Sequence, residues 1–277
     1  MPKVLIATEK PFAAPAVAGI KQILSEAGFD VVLLEKYTAK SELLAAVADV
    51  DAIIIRSDII DKEVFDAAHQ LKIVVRAGAG YDNVDLEAAT AHGVCVMNTP
   101  GQNANAVAEL VFALLLFSVR NRFNGASGTE LKDKKLGLLA YGNTGRNVAR
   151  IAKGIGMDIY AYDPFTPAEV IEKEGVHAVA SQKELFSTCD VVSLHIPATP
   201  ETKGSIGREL VSLLPKKAIL VNTARKEIIN EPELIALLKE REDLRYLADI
   251  RPAAHEEFEA AAGERYFSTP KKMGAQT

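Results

Sequence analysis

Short apolar runs alternate with helix-length amphipathic stretches along almost the whole chain. In the first third the runs are residues 4–7, 31–34, 52–55, 73–75 and 94–97. They are rich in Val and Ile and apolar at consecutive positions, the pattern of strands buried on both faces of a parallel sheet. Between them, residues 16–27, 41–48, 62–70 and 86–92 carry helical spacing, and Gly93 stops the last of these. The order β-α-β-α-β-α-β-α-β predicts a doubly wound α/β unit. Residues 136–141, 159–162, 191–195, 218–222 and 246–250 repeat the logic as a second set of strands. Between the sets lies a long, mostly apolar helix over 105–120, which is expected to be buried between domains. NTPGQN at 98–103 supplies the loop chemistry of a boundary, giving domains at 1–98 and 99–277.

Composition narrows the functional classes. The chain has 277 residues, enough for two domains, with 48% apolar and 25% charged residues. Thirty-two Lys and Arg against thirty-seven Asp and Glu leave a net charge of -5, which argues against a nucleic-acid partner. The most apolar stretch, 111–119, is far short of the roughly 20 residues a membrane span needs, so no membrane partner is expected. The first residues read as a β-strand and not as a signal peptide. Cys95 and Cys189 are too few for a disulfide framework, which points to a reducing cytoplasm, and both read as buried apolar fillers. His69, His92, His177 and His255 have no metal-ligand spacing, so no metal is expected.

One segment carries chemistry on its own. In LGLLAYGNTG (136–145) a strand runs into Ala140-x-Gly142-x-x-Gly145, and a helix is expected from about Asn147. This is a dinucleotide fingerprint with Ala in the first glycine position. Gly142 lets the backbone approach a pyrophosphate, Gly145 lets helix and strand pack closely, and the helix N-terminus offers N–H groups. A second strand ends in Asp163, 21 residues after Gly142. An acid there accepts hydrogen bonds from ribose hydroxyls and repels a 2′-phosphate, which favours NAD over NADP. The alternative is a tight strand–helix turn with a capping Asp.

With that site placed, further segments become recognisable. RAGAGYDNVDLEAA (76–89), NTPGQNANAVAEL (98–110), LAYGNTGRNVAR (139–150), YDPF (162–165), VNTAR (221–225) and the terminal GAQT resemble the D-isomer-specific 2-hydroxyacid dehydrogenases over essentially the whole chain. Within that family they are most similar to short forms that oxidise 3-phosphoglycerate. The resemblance implies a flavodoxin-like substrate domain, a Rossmann NAD-binding domain and a cleft between them. It implies cofactor contacts from Ala79, from Asn143 and Thr144 beside Gly142 and Gly145, and from Asp163, Ile196 after His195, Thr223 and Ala224. Asp249 matches the acid that orients the nicotinamide. Arg225 matches the Arg that holds the substrate carboxylate, helped by N–H groups around Gly78 and Ala79. A planar guanidinium suits that task because it can bond carboxylate and C2 oxygen together.

The chain departs from the family in three places. The family's acid/base is a His in a Pro-His-hydrophobic-Gly segment; here the sequence is Pro270-Lys271-Lys272-Met273-Gly274. Counting from Gly274 selects Lys272 and counting from Pro270 selects Lys271, and the sequence leaves both open. Either must be neutral to accept a proton, and a free Lys has a pKa near 10.4, which burial and the Arg225 cation would lower. A subset of the short phosphoglycerate-oxidising enzymes has Lys here, and KKMGAQ resembles it. The alternative is that both Lys sit on a solvated loop or attract a phosphate. The Glu that partners the His is replaced by Ala254, beside His255 and Glu256, which could substitute only through a reshaped loop. The arm NRFNGASGTELK (121–132) is a trimmed version of one that braces a dimer, and a homodimer is still expected. The family normally continues past the present end with a helix that returns to the first domain; the expectation is either that the protein lacks it, which would expose apolar surface there, or that the sequence is cut short.

For the substrate, Arg56 and Arg76 stand at predicted strand ends in the first domain, Lys10 follows the first strand, and Lys271 and Lys272 lie near the chemistry. Such a cluster favours a phosphorylated 2-hydroxy acid. The resulting expectation is NAD-dependent oxidation of 3-phosphoglycerate to 3-phosphooxypyruvate, opening serine biosynthesis. The alternatives are reduction of glyoxylate or hydroxypyruvate by the same class of enzyme, and a non-catalytic NAD-binding sensor.

Overall fold

The structure, a computed structural model, describes residues 1–275; Gln276 and Thr277, the end of the GAQT segment, lie outside the described residues. The chain divides into two compact units, Met1–Gln102 and Asn103–Thr277. The boundary falls inside the NTPGQN loop, at its C-terminal end.

The first unit is a parallel sheet of β1 (Lys3–Thr8), β2 (Asp30–Glu35), β3 (Ala52–Ile55), β4 (Ile73–Arg76) and β5 (Cys95–Asn98), in the order β2-β1-β3-β4-β5. Helices α1 (Ala14–Glu26), α2 (Lys40–Val47), α3 (Lys62–Ala67) and α4 (Leu86–Ala91) connect the strands. Local chemistry sets the helix ends. Asp61 and Asp85 cap α3 and α4 by accepting the N–H groups of Val64 and Ala88. Gly93 takes a φ of 67° just past α4, a backbone shape that favours glycine. Ile53, Ile55, Val64, Phe65 and Val74 are buried in the core. Each such side chain contributes roughly 1.5–3 kcal/mol on leaving water. Cys95 departs from expectation: it is exposed, because β5 is an edge strand whose alternate residues face solvent.

The second unit is a seven-stranded parallel sheet. Its strands are β6 (Lys135–Leu139), β7 (Asp158–Tyr162), β8 (His177–Ala178), β9 (Val191–Leu194), β10 (Ile219–Asn222), β11 (Arg245–Ala248) and β12 (Tyr266–Ser268). They run in the order β12-β11-β10-β9-β6-β7-β8. Helices α5 (Ala104–Val119), α6 (Asn143–Ile155) and α7 (Ala168–Lys173) precede β9 together with α8 (Gln182–Thr188); α9 (Arg208–Val211), α10 (Glu231–Glu240) and α11 (His255–Ala262) follow it. Alternate strand residues feed two cores. Leu136 and Leu138 join one with α5 and α6, while Leu139, Val192 and Leu194 join another with α8 and α10. The apolar helix α5 is therefore buried by the second unit's own sheet, through Val111, Phe112 and Leu115. Gly137 leaves room for α8, since a Cβ there would stand 3.0 Å from Cys189 Sγ and Leu185 Cγ. Burial pushes the Cys189 thiol up to about 12, so it packs as an unreactive apolar group. Among the described residues no helix is long and apolar enough to cross a membrane.

In both sheets the strand order reverses once, between β1 and β3 and between β6 and β9. Open α/β sheets bind ligands outside the carboxyl ends of strands at such points.

Candidate functional site

The reversal in the second sheet presents the glycine turn. After β6, Ala140 takes a φ of 80° in the position that the fingerprint gives to glycine. A left-handed conformation costs an ordinary residue about 1–2 kcal/mol, and such strain gathers at functional turns. Gly142 is extended and α6 begins at Asn143, four residues before the start expected from sequence. The reason is that Asn143, Thr144 and Gly145 form the helix's first turn, and Arg146 N–H already reaches the Gly142 carbonyl at 3.0 Å. The N–H groups of Asn143, Thr144 and Gly145 consequently meet no acceptor among the described residues. Gly145 is forced by packing: a Cβ there would lie 2.5 Å from the Ala140 carbonyl oxygen.

Asp163 follows β7 and braces this turn. Its Oδ2 accepts the Tyr141 N–H at 2.8 Å and the Thr166 hydroxyl at 3.2 Å, and its Oδ1 accepts the Phe165 N–H at 2.8 Å. The capping role is thus real, and Oδ1 keeps capacity for a hydroxyl donor.

His195 and Ile196 follow β9, on the other side of the reversal. His195 N–H bonds the Leu139 carbonyl at 2.9 Å, which ties the two strand ends together. Its ring Nε2 is buried without a partner among the described residues, as is Thr223 Oγ1 after β10. Outward helix N–H groups beside buried, unpaired polar atoms suit an anionic, hydroxyl-bearing ligand.

Burial holds the His195 ring down to about 4, against 6.5 for an ordinary histidine. An unfolded chain takes up a proton there as pH falls through 6.5, and the folded one does not until about 4. Stability tied to this ring is present above pH 6.5 and is lost as pH falls from there to 4. The side chain is only half-buried overall, which trims the effect to about 2 kcal/mol. We expect urea unfolding of His195→Gln to lose that part of the acid sensitivity; parallel curves for parent and variant at pH 7 and 4.5 would mean the ring titrates normally.

Arg225 follows β10, Asp249 follows β11 and Lys272 follows β12. Asn222 closes NTAR into a tight loop: its Oδ1 accepts the Ala224 N–H at 3.0 Å and its Nδ2 donates to the Arg225 carbonyl at 2.8 Å. That outward-bent loop presents the Ala224 carbonyl, which accepts from Arg225 Nη1 at 3.2 Å and from Lys272 Nζ at 3.1 Å. The structure therefore brings Lys272 to Arg225, whereas Lys271 is exposed.

Asp249 is 1% exposed. Its carboxylate accepts from the Thr269 hydroxyl at 2.9 Å, the Met273 N–H at 2.6 Å and the Gly274 N–H at 2.9 Å. The sequence offered no sign of these three donors, which lie 20 to 25 residues away. Ala254 N–H bonds Glu231, His255 is committed to Tyr266 at 2.9 Å and Glu259 at 3.3 Å, and Glu256 is exposed. Neither His255 nor Glu256 takes up the missing partner's role.

In the first unit, Arg56 follows β3 and Arg76 closes β4, with Ile55 and Arg76 in register. Buried Asp58 fixes this edge by accepting from Glu9 N–H at 2.7 Å, the Tyr37 hydroxyl at 2.7 Å and Arg56 N–H at 3.2 Å. Burial and the Asp58 carboxylate push the Tyr37 phenol well up, so it stays a donor. In RAGAG, Gly78 departs from expectation. Its N–H is taken by the Arg76 carbonyl at 2.8 Å, because the chain turns back sharply there. The loop's carbonyls are also engaged, Gly78 by Thr99 N–H and Ala79 by Asn98 Nδ2. The N–H groups of Ala79 and Gly80 meet no acceptor among the described residues.

Comparison with known proteins identifies the family. Residues 117–268 match the family model described as the NAD binding domain of D-isomer specific 2-hydroxyacid dehydrogenases. A D-3-phosphoglycerate dehydrogenase of Methanocaldococcus jannaschii is 40% identical over 237 residues, covering 79% of this chain and 43% of that protein. The chain thus spans less than half the length of that curated relative. A hydroxypyruvate reductase of Thermotoga maritima is 35% identical over 219 residues, covering 74% of this chain and 70% of that one. The crystal structure of a 3-phosphoglycerate dehydrogenase from Entamoeba histolytica with NAD+ bound superposes with a TM-score of 0.91 at 48% identity, covering 100% of this chain and 89% of that one. On a family match over more than half its length and relatives of this identity, the chain belongs to the D-isomer specific 2-hydroxyacid dehydrogenases.

Proposed function

We propose that the protein oxidises 3-phosphoglycerate to 3-phosphooxypyruvate with NAD. The observation that carries this reading is the meeting of Arg225 and Lys272 on the Ala224 carbonyl. An anion-binding fork and an amine that can exchange a proton stand together, on the domain that carries the glycine turn.

The chain's own groups divide the work. The first-turn N–H groups of α6 and Gly142 receive the pyrophosphate, and Asp163 takes a ribose hydroxyl. His195, Ile196, Thr223 and Ala224, all of the second unit, line the rest of the cofactor. Bound NAD supplies the hydride acceptor. Arg225 holds the substrate carboxylate and C2 oxygen through directed, charge-assisted hydrogen bonds, so the C2 hydrogen has one fixed direction. Lys272, in its neutral form, takes the C2 hydroxyl proton as the carbonyl forms. Within the first unit, Arg56 and Arg76 are cations suited to a phosphate, and Ala79 offers an open N–H suited to an anion.

The names of the relatives support the substrate, three of them being phosphoglycerate dehydrogenases of M. jannaschii, Mycobacterium tuberculosis and Sus scrofa. The T. maritima relative favours a second reading, reduction of hydroxypyruvate by the same residues.

The test is NADH formation from 3-phosphoglycerate and NAD at alkaline pH, beside NADH consumption with hydroxypyruvate and with glyoxylate. We expect turnover of 3-phosphoglycerate, with inorganic phosphate competing. Turnover of hydroxypyruvate with no competition by phosphate would favour the second reading. NAD binding without turnover of any of the three would leave a non-catalytic binder.

A further inference from the structure

The segment that carries Lys272 is held by a buried hub of Asp249 and Thr269, of which Thr269 has been given no role above. Asp249 follows the last residue of β11, and Ile250 after it takes a φ of 104°. Positive φ is a true outlier for a β-branched residue, and it persists only where surrounding bonds enforce it. The enforcing bond runs from Ile250 N–H to Thr269 Oγ1 at 2.8 Å. Thr269 is itself 7% exposed and anchored by its own N–H to the Ala248 carbonyl at 3.1 Å.

The Thr269 hydroxyl has one proton and two acceptors in reach, Asp249 Oδ1 at 2.9 Å and the Lys271 carbonyl at 2.8 Å. The carboxylate is the stronger acceptor. So oriented, Asp249 turns Oδ1 to the Met273 N–H and Oδ2 to the Gly274 N–H. Gly274 is required for this, since a Cβ there would meet Oδ2 at 2.9 Å. Two consecutive amides directly after Lys272 are thereby fixed to one buried carboxylate, and Thr269 fixes the chain just before Lys271.

We infer that Thr269, acting through Asp249, is a positioning residue that sets Lys272 Nζ beside Arg225 for proton transfer. The inference rests on the reading of Lys272 as the proton acceptor. It gives the Asp249 carboxylate a mechanical task that needs no cofactor contact.

The test uses Thr269→Val, which keeps the shape and removes the hydroxyl, beside Thr269→Ser, which restores it. In the free protein, amide hydrogen exchange at Met273 and Gly274 is expected to speed up about tenfold or more in Thr269→Val, with the amides of β9 and β10 unchanged. With NAD and 3-phosphoglycerate, kcat of Thr269→Val is expected to fall roughly 10- to 100-fold at an unchanged KM for NAD. Thr269→Ser returns both readouts to the parent. Unchanged exchange in Thr269→Val overturns the clamp. Faster exchange with full kcat, while Lys272→Ala is inactive, overturns the positioning role. If Lys272→Ala is itself fully active, the reading of Lys272 fails, and the positioning inference fails with it, whereas the exchange result still reports on the clamp.

Discussion

Lys272→Ala is expected to lower kcat by roughly 10²- to 10⁴-fold, the range that a positioned proton acceptor contributes. Lys271→Ala is expected to stay within about twofold of the parent, a surface change away from the chemistry. The contrast follows from placement. Lys272 Nζ is 3.1 Å from the Ala224 carbonyl that Arg225 also bonds, and Lys271 is exposed one residue earlier. The parent's kcat should rise with pH on an alkaline limb, because only the neutral amine accepts a proton. Lys272→His carries the test further. An imidazole with an ordinary value near 6.5 is neutral far below the range of an amine. Any activity that the variant keeps should therefore reach its plateau at lower pH. Steady-state kinetics across pH for the three variants decides it: equal losses in Lys271→Ala and Lys272→Ala, or a pH limb unmoved by Lys272→His, would remove Lys272 from the proton path.

Which lysine is meant shows where the sequence stops being legible. The strands of both sheets could be read because buried parallel strands are apolar at consecutive positions, as Ile53–Ile55 and Ile219–Val221 are. The two strands that went unread, β8 with two residues and β12 with three, are edge strands too short to set a period. The glycine turn was legible because its spacing is local. Its helix start was not, since Thr144 and Gly145 look like loop residues until Gly142 is seen as the cap. The inserted residue in PKKMG could not be assigned by counting, because the answer depends on which end of the segment is anchored. At the C-terminal end Met273 and Gly274 are bonded to Asp249, an anchor that supports the proposed count from Gly274. Asn222 lies in NTAR, but the motif does not reveal that its side chain closes the loop, and Thr269 carries no motif of its own. Thr269 acquires its task only once β11 and the chain after β12 lie side by side.

Arg225→Ala is expected to cut kcat/KM by about 10²- to 10³-fold, matching the 2–5 kcal/mol or so lost when one partner of a desolvated charged pair is removed. Arg225→Lys should recover only part of it. An ammonium keeps the charge but lacks the planar fork that can hold carboxylate and C2 oxygen together, so the C2 hydrogen loses its fixed direction. The loop itself should survive both changes. Asn222 grips it through the Ala224 N–H and the Arg225 carbonyl, which are backbone groups that side-chain replacement leaves in place. NAD binding, read by quenching or calorimetry without substrate, should therefore stay near the parent while turnover collapses. A combined loss of NAD binding and turnover would place Arg225 in the architecture of the loop, and full turnover in Arg225→Ala would move the carboxylate to other cations. Comparing the two variants also separates charge from geometry: a Lys variant as active as the parent would mean that charge alone holds the substrate, and the planar fork would then lose the directing task that the guanidinium was assigned.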